Sequence, residues 1–385
     1  MTRAVQVTVL ALLVAAAPAA AEVAPGDLEE VRQKSTLTET DRSRIRAFVQ
    51  RTVRAMLTNT DPDQQGMVRA RRALLEEVRN SEISTEAYRR AFAEIALDVL
   101  QKADDKAVSQ PARVNFVMTL AGLQVIESAP LLESVLAEDP YPASRYRAAK
   151  GLARLAPKIV QSGGPRMEGE VAESIDKALQ QRQPIPVLMQ LFEAVGAFDH
   201  PRAHDTLASG VVKVAGRLDA SDPVARKMVL DVIPSLERAY AREVRPEAKK
   251  DLLLAYAALC THVMPPLDVS PPPAGYSRLM TNLNASLEKI TGEDVGFDST
   301  DPLPLQQLSL LEWVERLVRT RQIPRRPEMP PAVEEAVRKR QSESGAEEGA
   351  PGEDAAAPEG DTEPAEAAGG EGEPEPGPFT EEAGP

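Results

Sequence analysis

The chain has 385 residues, which is typical of about two domains, and it contains 45 Lys and Arg against 59 Asp and Glu. It has one Cys and three His. So few thiol and imidazole groups exclude a disulfide scaffold, a His/Cys zinc cage and a haem-attachment pair.

The negative charge is concentrated at one end of the chain. Residues 342–385 contain 14 acidic residues and no Lys or Arg. The remaining 45 acidic residues balance the 45 basic ones, so the rest of the chain is neutral. Phosphate binding needs a clustered excess of cations, and we therefore predict no nucleic-acid partner.

Residues 1–21 are typical of a secretory signal peptide. Arg3 precedes an apolar run over residues 4–17, Pro18 interrupts it, and three alanines precede Glu22. The run is shorter than the ~20 residues that span a bilayer. We expect an exported protein, periplasmic or extracellular, with no membrane insertion after signal cleavage. The alternative is an uncleaved N-terminal anchor.

Residues 22–40 are interpreted as a leader, and residues 41–320 as a succession of amphipathic helices without strand patterns. The first helix is predicted to begin at Asp41, and Ser84-Thr85 indicates a later start. Proline is tolerated in the first helical turn. It marks further starts at Pro62, Pro111, Pro130, Pro142, Pro201, Pro223, Pro246 and Pro302. The prolines are therefore expected to separate helices rather than interrupt them.

One apolar template recurs about every 40 residues, the spacing of helix-pair repeats. It begins with Arg and places apolar or small residues three, six, seven and ten positions later. The copies begin at Arg113, Arg145 and Arg226, with a degenerate copy at Ile185 and a weaker one at Arg71. The fold class is therefore predicted to be all-α, built from repeated helix pairs.

The best copy has a short helix over residues 131–136, an Asp139-Pro140 turn and a second helix from Arg145, and Asp222 precedes Arg226 in the same way. This pattern resembles the HEAT-repeat, or armadillo-like, family. The resemblance implies a solenoid of antiparallel helix pairs. It also implies that turn aspartates pair with helix arginines, here Asp139 with Arg145 and Asp222 with Arg226.

Residues 287–298, followed by Trp313, are similar to the closing element of exported bacterial HEAT-repeat proteins. Gly292 is expected to end a helix in the left-handed conformation. Phe297 and Trp313 would then cover the apolar face of the last repeat. The alternative is an ordinary loop with two glycines.

Residues 321–341 are interpreted as a linker with a short helix, and residues 342–385 as a disordered acidic tail. The tail has seven Pro and nine Gly and too little apolar surface to offset its ordering entropy. Two roles remain open for it. It competes with an acidic partner for a basic surface of the body, or it only keeps the protein soluble.

Residues with potential chemistry are few. His200 and His204 have a metal-ligand spacing on a helix, but a solvated pair beside a helix cap at Asp199 is the alternative. Cys260 and His262 lie on different helix faces, so Cys260 is interpreted as a small core residue. Because no catalytic motif is present, we predict no enzyme activity, no cofactor and no metal.

Four cations form a stripe along one predicted helix: Arg147, Lys150, Arg154 and Lys158. A second cationic group, Arg69, Arg71, Arg72 and Arg79, lies on an earlier helix. Together they predict a basic inner surface. The alternative is an ordinary solvated helix face.

Two classes of function follow. The first is a non-catalytic scaffold or adaptor that binds a protein partner in the groove of a helical repeat domain. The second is an accessory or regulatory domain of a cell-envelope enzyme system, or a hydrolase. The scarcity of aromatic residues disfavours a polysaccharide binder.

Overall fold

The computed structural model describes residues 28–59, 64–218, 222–262, 275–292, 301–331, 333–335 and 338. Within these residues the chain is all-α, as predicted, and forms no strand. The helices are α1 (Glu29–Arg32), α2 (Glu39–Thr58), α3 (Gln65–Arg79), α4 (Glu86–Gln101), α5 (Gln110–Leu123), α6 (Ala129–Glu138), α7 (Pro142–Lys158), α8 (Gly164–Gln180), α9 (Ile185–Val195), α10 (Pro201–Ala215), α11 (Pro223–Arg242), α12 (Pro246–His262), α13 (Tyr276–Thr291) and α14 (Leu303–Arg319). The predicted signal peptide and acidic tail lie outside the described residues, as does Pro62.

The segment interpreted as a leader contributes to the folded core from residue 28 onwards. Leu28 and Val31 are only 2% and 0% exposed. Helix α2 begins at Glu39, two residues before the predicted start, because Thr38 and Asp41 form a capping box. The Asp41 amide donates to the Thr38 hydroxyl over 3.2 Å, and the Thr38 amide donates to the Asp41 carboxylate over 3.0 Å.

The odd-numbered helices pack on one another in succession, from α3 through α5, α7, α9 and α11 to α13. The even-numbered helices α6, α8, α10 and α12 do the same. Each even-numbered helix from α2 to α10 also contacts the odd-numbered helix that follows it. The five copies of the sequence template lie on α3, α5, α7, α9 and α11. Equivalent positions of the template therefore lie on helices that pack against one another.

The prediction that prolines separate helices rather than interrupt them is wrong at two positions. Pro157 lies inside α7 and Pro234 inside α11. Residues 159–163 continue α7 as a π-helical turn, and α8 begins at Gly164, which has a φ of 73°. Residues 159–165 therefore join α7 to α8 without an intervening loop. The apolar face continues through the turn, since Ile159 is fully buried.

The far end of the described chain agrees with two details of the sequence pattern. Gly292 ends α13 with a φ of 69°, in the left-handed conformation that glycine adopts without strain. Trp313 on α14 is 1% exposed and belongs to the core, whereas Phe297 lies outside the described residues. Among the described helices, none combines the length and the apolar character that crossing a membrane requires.

Candidate binding groove

Two of the template arginines, Arg113 and Arg145, contact the turns between helices. Nε of Arg113, on α5, lies 2.5 Å from Oδ2 of Asp139, in the turn before α7. Nη1 of Arg113 also binds the carboxylate of Asp104 over 2.6 Å. The implied side-chain pair between Asp139 and Arg145 is replaced by a different contact, in which Arg145 donates to the backbone oxygen of Asp139 over 2.8 Å. The carboxylate is already bound by Arg113 from the preceding odd-numbered helix.

The next turns use other polar groups. Arg145 also donates from Nε to the Oε1 atom of Gln183, just before α9, over 3.1 Å. Asp222 caps α11 by accepting from the Val224 amide over 2.8 Å, and its backbone oxygen accepts from the Arg226 amide over 3.2 Å. These residues order the turns, so their role is structural.

Most of the predicted basic surface comes together in one groove of about 600 Å³. Six cations line it, namely Arg71, Arg72 and Arg79 on α3 and Arg147, Lys150 and Arg154 on α7. We call this cavity the basic groove. Lys158 and Arg69, which were predicted to belong to the same surface, are not among its lining residues. Lys158 instead donates to the backbone oxygen of Gln124 over 2.8 Å.

Small residues bring the walls of the basic groove close together. Helix α5 lies between α3 and α7 and packs on both, contributing Met118 and Ala121 to the lining. Gly151 on α7 is buried and touches α5 directly. Gly122 on α5 likewise leaves space for Leu75 of α3. Larger side chains at these positions would separate the helices that hold the two sets of cations.

The cations of the basic groove repel one another. Among the described residues, Glu76 is the only acidic one that lines it. None of the six cations forms an ion pair with any residue that the structure describes. Burial, followed by the charges of Arg147, Arg72 and Arg79, lowers the pKa of Arg71. An anionic ligand would relieve this repulsion.

The two histidines with metal-ligand spacing are in different environments. Nδ1 of His200 accepts from the Arg202 amide over 3.1 Å, so His200 caps α10 in place of Asp199. His204 is buried rather than solvated, and its Nδ1 lies 2.8 Å from Oε2 of Glu243. Within the described part of the chain, no three residues among His, Cys, Asp and Glu are placed to hold a metal ion.

The buried contact of His204 belongs to an ion-pair cluster that the sequence did not indicate. Glu243 accepts from Nη2 of Arg245 over 2.7 Å, and Arg245 also binds Asp205 over 2.8 Å. The hydrogen bonds from Arg245 lower the pKa of Glu243 against the opposing effect of burial. His204 and Glu243 are 39 residues apart in sequence, so no local motif joins them.

Cys260 is a core residue, as the sequence suggested. It is fully buried, and burial raises the pKa of its thiol. A raised pKa disfavours the reactive thiolate. This environment is the opposite of the one in which a catalytic cysteine works.

No family model matches the chain, and neither the curated proteins nor the solved structures gave a significant match.

Proposed function

We propose that the chain is an exported HEAT-like repeat protein that acts as a non-catalytic scaffold or adaptor. Its partner is a protein, which binds in the basic groove. The observation on which the proposal rests is that six cations surround one cavity and that none of them forms an ion pair with a described residue. Like charges kept together destabilise a fold, so a bound anionic surface would stabilise it.

The contacts between helices support a solenoid of antiparallel pairs. The template copies lie on helices that pack successively, and polar contacts such as that between Arg113 and Asp139 join one pair to the next. In a solenoid of this kind, one set of helices lines an extended inner surface suited to a partner. The basic groove lies on three consecutive members of the odd-numbered set, α3, α5 and α7.

The chemistry of the groove supports binding rather than catalysis. Its lining includes no Ser, Thr, Cys, His or Asp among the described residues. The hydroxyl and thiol nucleophiles, and the histidine that most often serves as general base, are therefore missing from the described part of the wall. Export is supported by the sequence of residues 1–21, whose apolar run and alanine site are typical of a signal peptide.

Affinity capture tests the proposal. The full tagged chain is incubated with a periplasmic fraction and with concentrated culture medium, in parallel with a variant that combines Arg79→Glu and Arg154→Glu. The matched control combines Arg69→Glu and Lys158→Glu, which make the same charge change on α3 and α7 outside the groove. We expect a protein that is captured by the wild type and by the control and lost by the groove variant. Identical capture by all three chains would contradict the proposal.

A further inference from the structure

We infer that the basic groove recognises an extended segment of a partner protein that contains about four consecutive Asp or Glu residues. The inference rests on the proposed function and specifies the chemistry of the partner. Its basis is the arrangement of the six cations in two rows, one on α3 and one on α7, on either side of α5.

The two rows have similar lengths. Arg71 and Arg79 are eight residues apart on α3, which corresponds to about 12 Å along a helix axis. Arg147 and Arg154 are seven residues apart on α7, or about 10 Å. A β-like segment rises about 3.3 Å per residue, so three to four residues extend over the same length. A run of about four residues therefore matches both rows.

The alternation of side chains in an extended segment explains why consecutive acidic residues suit two rows. Successive side chains of a strand point to opposite sides. A segment lying over α5 would direct one carboxylate towards α3 and the next towards α7. Acidic residues at every second position would all face one row and leave the other row without partners.

The lining of the groove between the two rows also suits an extended segment. Its apolar residues, Leu75, Met118 and Ala121, would contact the methylene groups of the acidic side chains.

Fluorescence anisotropy with short labelled peptides tests the inference on the full chain. The first peptide has four consecutive Glu between Gly-Ser flanks, the second has four Gln, and the third has four Glu separated by Gly. Low ionic strength is used because salt screens exposed charges. We expect the first peptide to bind at least tenfold more tightly than the others. Equal binding of the first and third peptides would overturn the inference.

Charge-reversal variants locate the binding. Arg79→Glu and Arg154→Glu each remove a cation from one row, and both residues are exposed, so the variants should fold. Each variant is expected to weaken binding of the first peptide at least fivefold, and Lys158→Glu less than twofold. Unchanged binding by both groove variants would overturn the inference.

A displacement experiment separates this inference from the proposed function. The consecutive-Glu peptide is added to the complex between the full chain and its captured partner, and it should release the partner. If capture depends on Arg79 and Arg154 but the peptide releases nothing, the inference is wrong and the proposed function stands. If the peptide binds but no groove-dependent partner is captured, the proposed function is wrong.

Discussion

Gly151 on α7 lies so close to Ala121 on α5 that a Cβ atom on the glycine would be 2.7 Å from the Cβ atom of the alanine. Real Cβ atoms essentially never approach so closely, and neither of these two can rotate away. The missing side chain therefore sets the distance between α5 and α7. Through that distance it also sets the position of the α7 cations beside the groove.

Replacing Gly151 by Ala should destabilise the protein, although alanine is about 1 kcal/mol more favourable than glycine inside a helix. The new methyl group must displace α5, and overpacking of this kind costs about 1–3 kcal/mol. We expect a net loss of about 1 kcal/mol in the free energy of unfolding, measured by urea denaturation. The control is Gly216→Ala, where the added atom would meet nothing within 4 Å. Equal stabilities of the two variants would contradict this account of the contact.

Replacing Asp139 by Asn should weaken the contact between α5 and the turn before α7. The shape of the side chain is kept, but Arg113 loses the carboxylate that is only 1% exposed. Disturbing a largely buried charged hydrogen bond costs about 1–3 kcal/mol. Glu86→Gln removes an exposed pair with Arg90 and should cost less than about 0.5 kcal/mol. A loss no larger than this control would show that Asp104 alone satisfies Arg113.

Neutralising cations of the basic groove should stabilise the isolated protein. The double variant with Arg79→Gln and Arg154→Gln removes repulsion, and we expect a gain of up to about 0.5 kcal/mol at low ionic strength. The gain should disappear in about 1 M salt, where the screening length is about 3 Å. Urea denaturation at both ionic strengths measures it. The control is Lys158→Gln, outside the groove. Its effect on the free energy of unfolding should depend less on salt.

The ion pair of Glu243 should make stability depend on pH. Its pKa is lower in the folded chain than in the unfolded one, where it is about 4.3. The contribution of Glu243 to the free energy of unfolding is therefore complete above about pH 4.3 and is lost as the pH falls further. Glu243→Gln should flatten the pH dependence below that value. The control is Glu247→Gln, which removes an exposed carboxylate. Equal changes of slope in the two variants would contradict this account of Glu243.

Cys260 should be unreactive in the native protein. Its thiol is fully buried and its pKa is raised, so both access and thiolate formation are disfavoured. Because the chain has one Cys, a thiol reagent reports a single site. We expect labelling to follow the unfolding transition in urea. Rapid labelling without urea would show that the end of α12 opens readily.

Sequence patterns predicted the local features of this fold well. The hydrophobic period identified the helices, Thr85 was expected near a helix start and does cap α4, and Gly292 ends α13 as expected. The two cationic groups beside the groove were also recognised, because regular spacing along a helix places residues on one face. Each of these features depends on residues that are close in the chain.

The remaining features depend on contacts between distant residues. The pairs between Arg113 and Asp139 and between His204 and Glu243 join residues 26 and 39 positions apart. The helical chain continues through a π turn after Pro157, and Ile159 in that turn is buried against residues from other helices. Lys158 lies at the C-terminal end of α7, where it contacts Gln124 just after the end of α5. None of these facts is visible in a local pattern.

The turn contacts make neighbouring helix pairs unequal. Arg113 meets the carboxylate of Asp139, whereas Arg145 meets the amide of Gln183. If the pairs α6–α7 and α8–α9 exchanged places, Arg113 would face a neutral amide where it now has a counter-ion. The arginine would lose its deeply buried charge partner, and the rearranged chain would be less stable. The polar contacts of the turns thus stabilise one order of the helix pairs along the chain. These two pairs could not exchange places without loss of stability.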